Sequence, residues 1–102
     1  MIVVRSVLQA TFGRGGDLAA IFAETNPRVM AELGVNRTWR LLTDLSGTFD
    51  TVVLEVEAES LAEWEQVRGR IFASAAFQDM MGRTQGMVVS GRNEVYTIEA
   101  RG

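Results

Sequence analysis

The stretch "DTVVLEVEAE" at residues 50–59 has the composition of a core β-strand, yet it carries two carboxylates, Glu55 and Glu57. Side chains two residues apart on a strand lie on the same face of a sheet. One face of this strand is therefore apolar and is formed by Val52, Leu54 and Val56. The other face combines Val53 with both acids. This pattern predicts a sheet with helices on one side and a half-charged surface on the other.

The remaining chain supplies alternating strand and helix patterns on both sides of this strand. Asp17 is the predicted N-cap of the first helix, Pro27 is expected to kink or interrupt it, and Gly34 ends it. Ser60 with Glu63 forms a capping box for the second helix. The predicted elements are a strand over 2–12, a helix over 17–33, strands over 39–45 and 50–58, a helix over 60–77 that ends in a short helical segment and a loop, and a strand over 88–100.

The resulting βαββαβ order predicts one α+β domain that covers residues 1–102. Two βαβ halves with both crossover helices on the same side form a ferredoxin-like antiparallel sheet with the strand order 4-1-3-2. The chain is long enough for one modest core and shows no internal linker or repeat.

The hairpin between the second and third strands gives the acids a partner. A four-residue loop, Ser46 to Phe49, sets a register in which Trp39 lies opposite Val56 and Arg40 lies opposite Glu55. Arg5 of the first strand is expected on the same helix-free face, so Glu55 is bracketed by two guanidinium groups. Glu99 of the last strand is expected to add a further acid near Arg5.

The helix-free face of the sheet is predicted to be half apolar with paired charges, which is typical of an interface. Two copies of the chain are expected to pack these faces together around a twofold axis. The alternative is a solvent-facing sheet whose surface salt bridges contribute little to stability.

Composition excludes several functional classes. The chain contains 10 Lys+Arg, all of them arginine, and 13 Asp+Glu, and its net charge of −3 argues against a nucleic-acid partner. Neither cysteine nor histidine occurs, so disulfides, thiolate nucleophiles and the commonest metal ligands and general bases are absent. We expect no metal and no cofactor. No apolar run approaches 18 residues and no signal peptide is recognisable, so a cytoplasmic protein without a membrane segment is expected.

Three segments, "TDLSGTFDTVVLEVEAESLAEWEQ", "ASAAFQDMM" and "SGRNEVYTIEA", together with the βαββαβ order, resemble the dimeric α+β barrel superfamily. The similarity is greatest to its NIPSNAP-like and antibiotic-biosynthesis-monooxygenase-like members. The resemblance implies that two sheets join into an eight-stranded barrel with the helices outside. It also implies that any small-molecule pocket lies between the helices and the sheet.

Candidate ligand-binding residues follow from this resemblance. Trp64 is similar in position to a helix-borne Trp of the enzymatic members, and the sheet and helices add further candidates on the helix side, namely Ser6, Trp39, Phe72 and Tyr96. The alternative is that these aromatic residues only form core. A polar set on the sheet, Arg5, Arg40, Glu55 and Glu99, is a candidate interface or site.

The sequence leaves two functional classes open. The first is a homodimeric small-molecule-binding or accessory protein. The second is a cofactor-independent monooxygenase or cyclase that acts on an apolar or aromatic compound. The absence of histidine makes haem degradation or haem ligation by such a fold very difficult and favours the binding class. An open pocket lined by Trp64 and reaching a polar group is the feature expected of a protein that takes a ligand.

Overall fold

The computed structural model describes all 102 residues and contains four strands and three helices. The elements in chain order are β1 (Ile2–Ala10), α1 (Gly15–Leu33), β2 (Trp39–Thr43), β3 (Thr51–Ala58), α2 (Leu61–Ala73), α3 (Ala75–Arg83) and β4 (Val88–Thr97). No helix is long and apolar enough to cross a membrane.

The strands form one antiparallel sheet in the order β2-β3-β1-β4, which is the predicted order 4-1-3-2 read from the other edge. The predicted hairpin register is confirmed, since Trp39 pairs with Val56 and Arg40 pairs with Glu55. Arg5 of β1 pairs with Glu55 from the other side. The apolar alternation of β3 therefore determined which side of the sheet the helices cover.

The face assignment of β4 differs from the prediction. Tyr96 lies opposite Val3 on the helix-free side, so the expectation that it faces the helices is wrong. The register between β1 and β4 places Glu94, not Glu99, opposite Arg5, and Glu99 follows the end of β4 at Thr97. Apolar residues occur on both faces of this edge strand, so alternation alone could not show which of its side chains face the helices.

The first turn of α1 is capped from a distant part of the chain. The helix begins at Gly15, and Asp17 lies inside the first turn instead of at the cap. The carboxylate of Asp50, just before β3, accepts hydrogen bonds from the backbone N–H groups of Gly13 at 2.8 Å and Gly15 at 3.0 Å. A side chain at Gly15 would collide with Asp50, so this junction between helix and sheet depends on glycine.

Pro27 was predicted to kink or interrupt α1, and the structure shows that it lies within the helix without interrupting it. Buried residues lie on both sides of the proline, including Phe22 and Val29. Burying these side chains outweighs the one backbone hydrogen bond that proline cannot donate.

The predicted continuous helix after Ser60 is divided in two. Ser74 has an extended backbone that ends α2, and its hydroxyl accepts from the N–H of Phe77 at 3.0 Å to start α3. At the beginning of α2 the predicted capping residues are confirmed, since Ser60 Oγ accepts from the N–H of Glu63 at 3.1 Å. Serine can cap a helix as well as sit within one, so residue type alone did not reveal the break.

The hydrophobic core divides into two clusters on the helix side of the sheet. One cluster joins α1 and α3 to the sheet and contains Ala10, Leu18, Phe22, Val52 and Met80. The other joins the three helices to one another and contains Val29, Leu33, Val67 and Ala76. Val67 is the one buried residue of α2. Because α2 packs chiefly on its neighbouring helices, space remains between it and the sheet.

Candidate functional site

A cleft of about 920 Å³, open to solvent, lies between the helix side of the sheet and the three helices. Most of the residues that line it are hydrophobic. The sheet contributes Val4, Ser6, Leu8, Leu54 and Val56, and α1 contributes Phe22, Asn26, Val29 and Met30. This volume is in the range that holds a drug-sized ligand.

The α2 wall of the cleft is one helical stripe. Arg68 lies four residues after Trp64, and Ile71 and Phe72 lie three and four residues after Arg68, so the four side chains share a face. The break at Ser74 then turns the chain, and Phe77 of α3 continues the wall. The rings of Phe72 and Phe77 lie 5.2 Å apart and form an aromatic surface beside the cleft.

Uncharged polar residues interrupt the apolar lining at several points, namely Ser6, Asn26, Gln78, Thr84, Gln85 and Asn93. On the sheet, Ser6 Oγ donates to Asn93 Oδ1 at 3.2 Å. On α1, the side chain of Asn26 lines the cleft although the residue is only 3% exposed, and its amide nitrogen Nδ2 has no hydrogen-bond partner. Buried amide groups are usually paired, so Asn26 is an unusual feature of this wall.

No carboxylate lines the cleft, and Arg68 is the charged group on its helical wall. The guanidinium carbon of Arg68 lies 5.0 Å from the centre of the Phe72 ring, which is a cation–π distance. Arg92 also borders the cleft, but its guanidinium pairs with Glu94 at 2.9 Å. The electrostatic character of the lining is therefore positive.

The structure brings together three of the five predicted ligand-binding residues. Ser6, Trp64 and Phe72 line the cleft. Trp39 lies on the helix side of edge strand β2 but is not part of the lining, and Tyr96 is on the opposite face of the sheet. Sequence reasoning missed Asn26, Arg68 and Asn93. An amide at a buried position of an amphipathic helix was the available signal for Asn26.

The helix-free face carries a charge ladder, a row of ion pairs that runs from Arg40 on β2 through Glu55 and Arg5 to Glu94 on β4. Glu55, only 8% exposed, accepts from Arg5 Nε at 2.8 Å and from Arg40 Nε at 3.0 Å. Arg5 also donates to Glu94 at 3.0 Å. The predicted bracketing of Glu55 by two guanidinium groups is confirmed. Hydrogen bonding from Arg92 is the main cause that lowers the pKa of Glu94, with a smaller contribution from Arg5.

Glu57 is paired as well, since it forms an ion pair with Arg101 near the end of the chain. Val7 and Val53 lie buried between the charged positions. A second depression of about 420 Å³ on this face has a largely polar lining that includes Gln9, Asp44 and Thr51. No group of three or more His, Cys, Asp or Glu side chains is arranged to hold a metal ion.

Glu63 links the start of α2 to the loop before β2. Arg37 donates to both carboxylate oxygens of Glu63, at 2.7 Å to Oε1, and also to the Glu57 carbonyl at 3.3 Å. Hydrogen bonding by Arg37 lowers the pKa of the Glu63 carboxyl, partly opposed by desolvation. This pair lies outside the cleft and stabilises the frame around it.

Neither a protein-family model nor a curated protein sequence matches this chain. Solved structures, in contrast, match it over nearly its whole length. An uncharacterised NIPSNAP domain protein from Burkholderia xenovorans superposes with a TM-score of 0.82 at 18% identity, covering 98% of this chain and 96% of that one. A NIPSNAP family protein from Agrobacterium tumefaciens gives 0.80 at 17% identity, covering 94% and 90%.

An antibiotic-biosynthesis-monooxygenase-like protein from Chloroflexus aurantiacus superposes with a TM-score of 0.74 at 12% identity, covering 99% of this chain and 96% of that one. These matches extend over nearly the whole of both chains. The protein therefore has the ferredoxin-like fold shared by NIPSNAP domains and antibiotic-biosynthesis-monooxygenase-like proteins, as the sequence resemblance predicted.

Proposed function

We propose that this protein is a homodimeric small-molecule-binding or accessory protein that takes an apolar ligand in the cleft between helices and sheet. The cleft is the observation that carries the proposal. It is open to solvent, and its largely apolar lining is interrupted by polar side chains that can orient a ligand, as in known ligand sites.

The lining supports binding more than catalysis. General acid–base chemistry needs a titratable group within hydrogen-bond reach of the substrate. The lining contains no Asp, Glu or Tyr, and the chain has no His or Cys. Ser6, Asn93 and Asn26 can position a ligand oxygen, but none of them is activated by a neighbouring base.

Ligand binding is tested by thermal-shift screening of an apolar and aromatic compound library. The compounds that stabilise the protein are then titrated against the tryptophan fluorescence of a Trp39→Phe variant, in which Trp64 is the remaining tryptophan. Replacing Ser6 with Phe fills the floor of the cleft and is expected to abolish the shift. Ser46→Phe, in the exposed hairpin loop, is the matched control and should keep it. A shift that survives Ser6→Phe would place the ligand elsewhere and contradict the proposal.

The proposed dimer uses the helix-free face of the sheet. The charges on this face are paired within one chain, so a second copy can cover them without leaving an ion unpaired. Tyr96, 49% exposed, and Leu42 add apolar surface between the charges. Edge strand β4 is exposed along nearly all of its length, and an exposed sheet edge is available for contact with another chain.

Light scattering coupled to size exclusion measures the assembly at micromolar concentration. We expect the mass of two chains for the native protein and of one chain for Tyr96→Arg. Leu61→Arg changes an equally exposed apolar residue at the start of α2 and should leave the dimer intact. A native protein that elutes as a monomer would refute this part of the proposal.

A second candidate function is cofactor-independent oxygenation or cyclisation of an aromatic compound. The observation in its favour is that Trp64 lines the cleft, where the resemblance to enzymatic members of the fold expects it. Oxygen consumption with the aromatic compounds that stabilise the protein, measured with an electrode and compared with the Trp64→Leu variant, tests it. A rate equal to the uncatalysed oxidation would leave the binding function as the better assignment.

A further inference from the structure

The cleft has a charge opposite to that of the protein as a whole. The chain carries 13 carboxylate residues and a net charge of −3, yet none of these residues lines the cleft. The lining includes Arg68, whose guanidinium lies beside an aromatic ring at the cleft wall. A positive, largely apolar cleft in an acidic protein favours a ligand that combines a negative group with an apolar body.

Arg68 differs from the other arginines in its contacts. Eight of the ten form ion pairs with carboxylates. Arg70 instead donates to the Leu33 carbonyl at the end of α1 at 2.6 Å. Arg68 makes only the contact with Phe72, so its donors are available for the planar, two-point recognition of a carboxylate.

Asn26 supplies a second, independent feature of the same cleft. Its amide nitrogen is buried, lacks any hydrogen-bond acceptor and belongs to a residue of the α1 wall. An oxygen on a ligand that reaches this amide would complete its hydrogen bonding. A polar group placed in an otherwise apolar wall discriminates strongly between ligands that can and cannot pair with it.

We infer that the cleft binds an apolar carboxylic acid that carries an additional oxygen on its hydrocarbon body. The ligand carboxylate pairs with Arg68 beside Phe72, and the apolar body lies along Val56, Ile71 and Met80. The additional oxygen accepts a hydrogen bond from Asn26. This inference rests on the proposed function and names the class of ligand for the same site.

The carboxylate is tested by isothermal titration calorimetry of the full chain with decanoate, 1-decanol and decylammonium, which share one chain length. Decanoate is expected to bind about tenfold more tightly than the alcohol, as one charge-assisted hydrogen-bonded pair provides. Arg68→Gln should abolish the difference between the decanoate and decanol affinities. Arg14→Gln, an exposed arginine outside the cleft, should have no effect on either ligand.

The additional oxygen is tested with oxodecanoates that carry a ketone at successive positions. We expect one position to bind at least about threefold more tightly than decanoate, within the range of a single neutral hydrogen bond. Asn26→Leu and, as a second replacement, Asn26→Ala should remove this gain while decanoate binding is retained. Circular dichroism of both variants verifies that the helices are intact.

The outcomes distinguish a failure of the inferred ligand class from a failure of the proposed function. Equal binding of decanoate and decanol that is insensitive to Arg68→Gln would overturn the inference and leave the cleft as a binding site for neutral compounds. Ketones that give no gain at any position would overturn the role of Asn26. If none of these probes nor any compound from the library binds, the proposed function fails together with the inference.

Discussion

The two faces of the sheet satisfy their polar groups in different ways. On the helix-free face, Glu55 is held by Arg5 and Arg40, so the charges are paired within the chain. On the helix side, the cleft leaves the guanidinium of Arg68 without an anion and the amide of Asn26 without an acceptor. A surface with satisfied charges suits association with a second copy. A solvent-exposed guanidinium without an anion and a buried amide nitrogen without an acceptor, both at an apolar cleft, suit recognition of a small molecule.

The largest expected effect is on the packing of the helix side. Leu18 of α1 is fully buried against α3 and the sheet. Leu18→Ala should therefore lower the free energy of unfolding by about 3 kcal/mol through the cavity that it leaves. Urea denaturation monitored by circular dichroism measures this loss. Leu45→Ala, at a fully exposed position of the hairpin loop, is the control and should be nearly neutral.

The next effect tests the charge ladder on the other face. Glu55→Ala leaves Arg5 and Arg40 without their shared partner and should cost about 2 kcal/mol. Glu57→Ala removes one partly exposed ion pair with Arg101 and should cost about 0.5 kcal/mol. Equal melting temperatures for the two variants would contradict the difference between the centre and the edge of this face.

A smaller effect tests the junction that holds α1 against the sheet. Asp50→Ala removes the acceptor for the N–H groups of Gly13 and Gly15 and should cost about 1.5 kcal/mol. Asp50 has a positive φ of 61°, a conformation that Asn also tolerates. Asp50→Asn keeps an acceptor oxygen and should therefore lose less. Thermal unfolding that ranks Asn at or below Ala would show that the carboxylate does not cap the helix.

The smallest expected effect is the pH dependence of the Glu63 pair. Its pKa lies below the ordinary 4.5 in the folded state, so the unfolded chain takes up a proton first as the pH falls. The stabilisation is complete above the unfolded pKa and is lost as the pH falls through the folded value. Glu63→Gln should be less stable than the native chain at pH 7, and the difference should shrink toward pH 3.

Denaturant titrations at several pH values measure this difference. Glu65→Gln makes the same charge change at an exposed position of α2 and serves as the control. A Glu63→Gln deficit that stays constant from pH 7 to pH 3 would show that lost packing, not the charge, causes it.

The strands with one clearly apolar face were predictable. Alternation in β3 fixed the pairing of Arg40 with Glu55, because a slip of one residue would turn every apolar side chain of the strand toward the wrong face. The connection itself is longer than the predicted loop of Ser46 to Phe49, since it spans residues 44–50. The capping role of Ser60 was also predictable, because it depends on Glu63, which is only three residues away. Tyr96 was misplaced because β4 is an edge strand with apolar residues on both faces, where burial does not select a register.

The candidate site was only partly predictable for a different reason. Trp64 and Phe72 followed from helical spacing within α2, whereas Trp39 shares the correct sheet face but lies on the edge strand away from the cleft. Which residues of a common face surround a cavity depends on the distance between helix and sheet. That distance is set by how α2 packs on α1 and by the turn at Ser74.

The sequence by itself determined the strand order, the side covered by helices and the partners of Glu55, because hydrophobic periodicity and short connections leave few alternatives. Only the tertiary structure decided that Trp64 and Phe72 border an open cleft, whereas Trp39 and Tyr96 do not. It also showed that the Asn26 amide has no partner and that Asp50 caps a helix 35 residues earlier in the chain. Such contacts between residues far apart in sequence depend on packing, which local patterns do not encode.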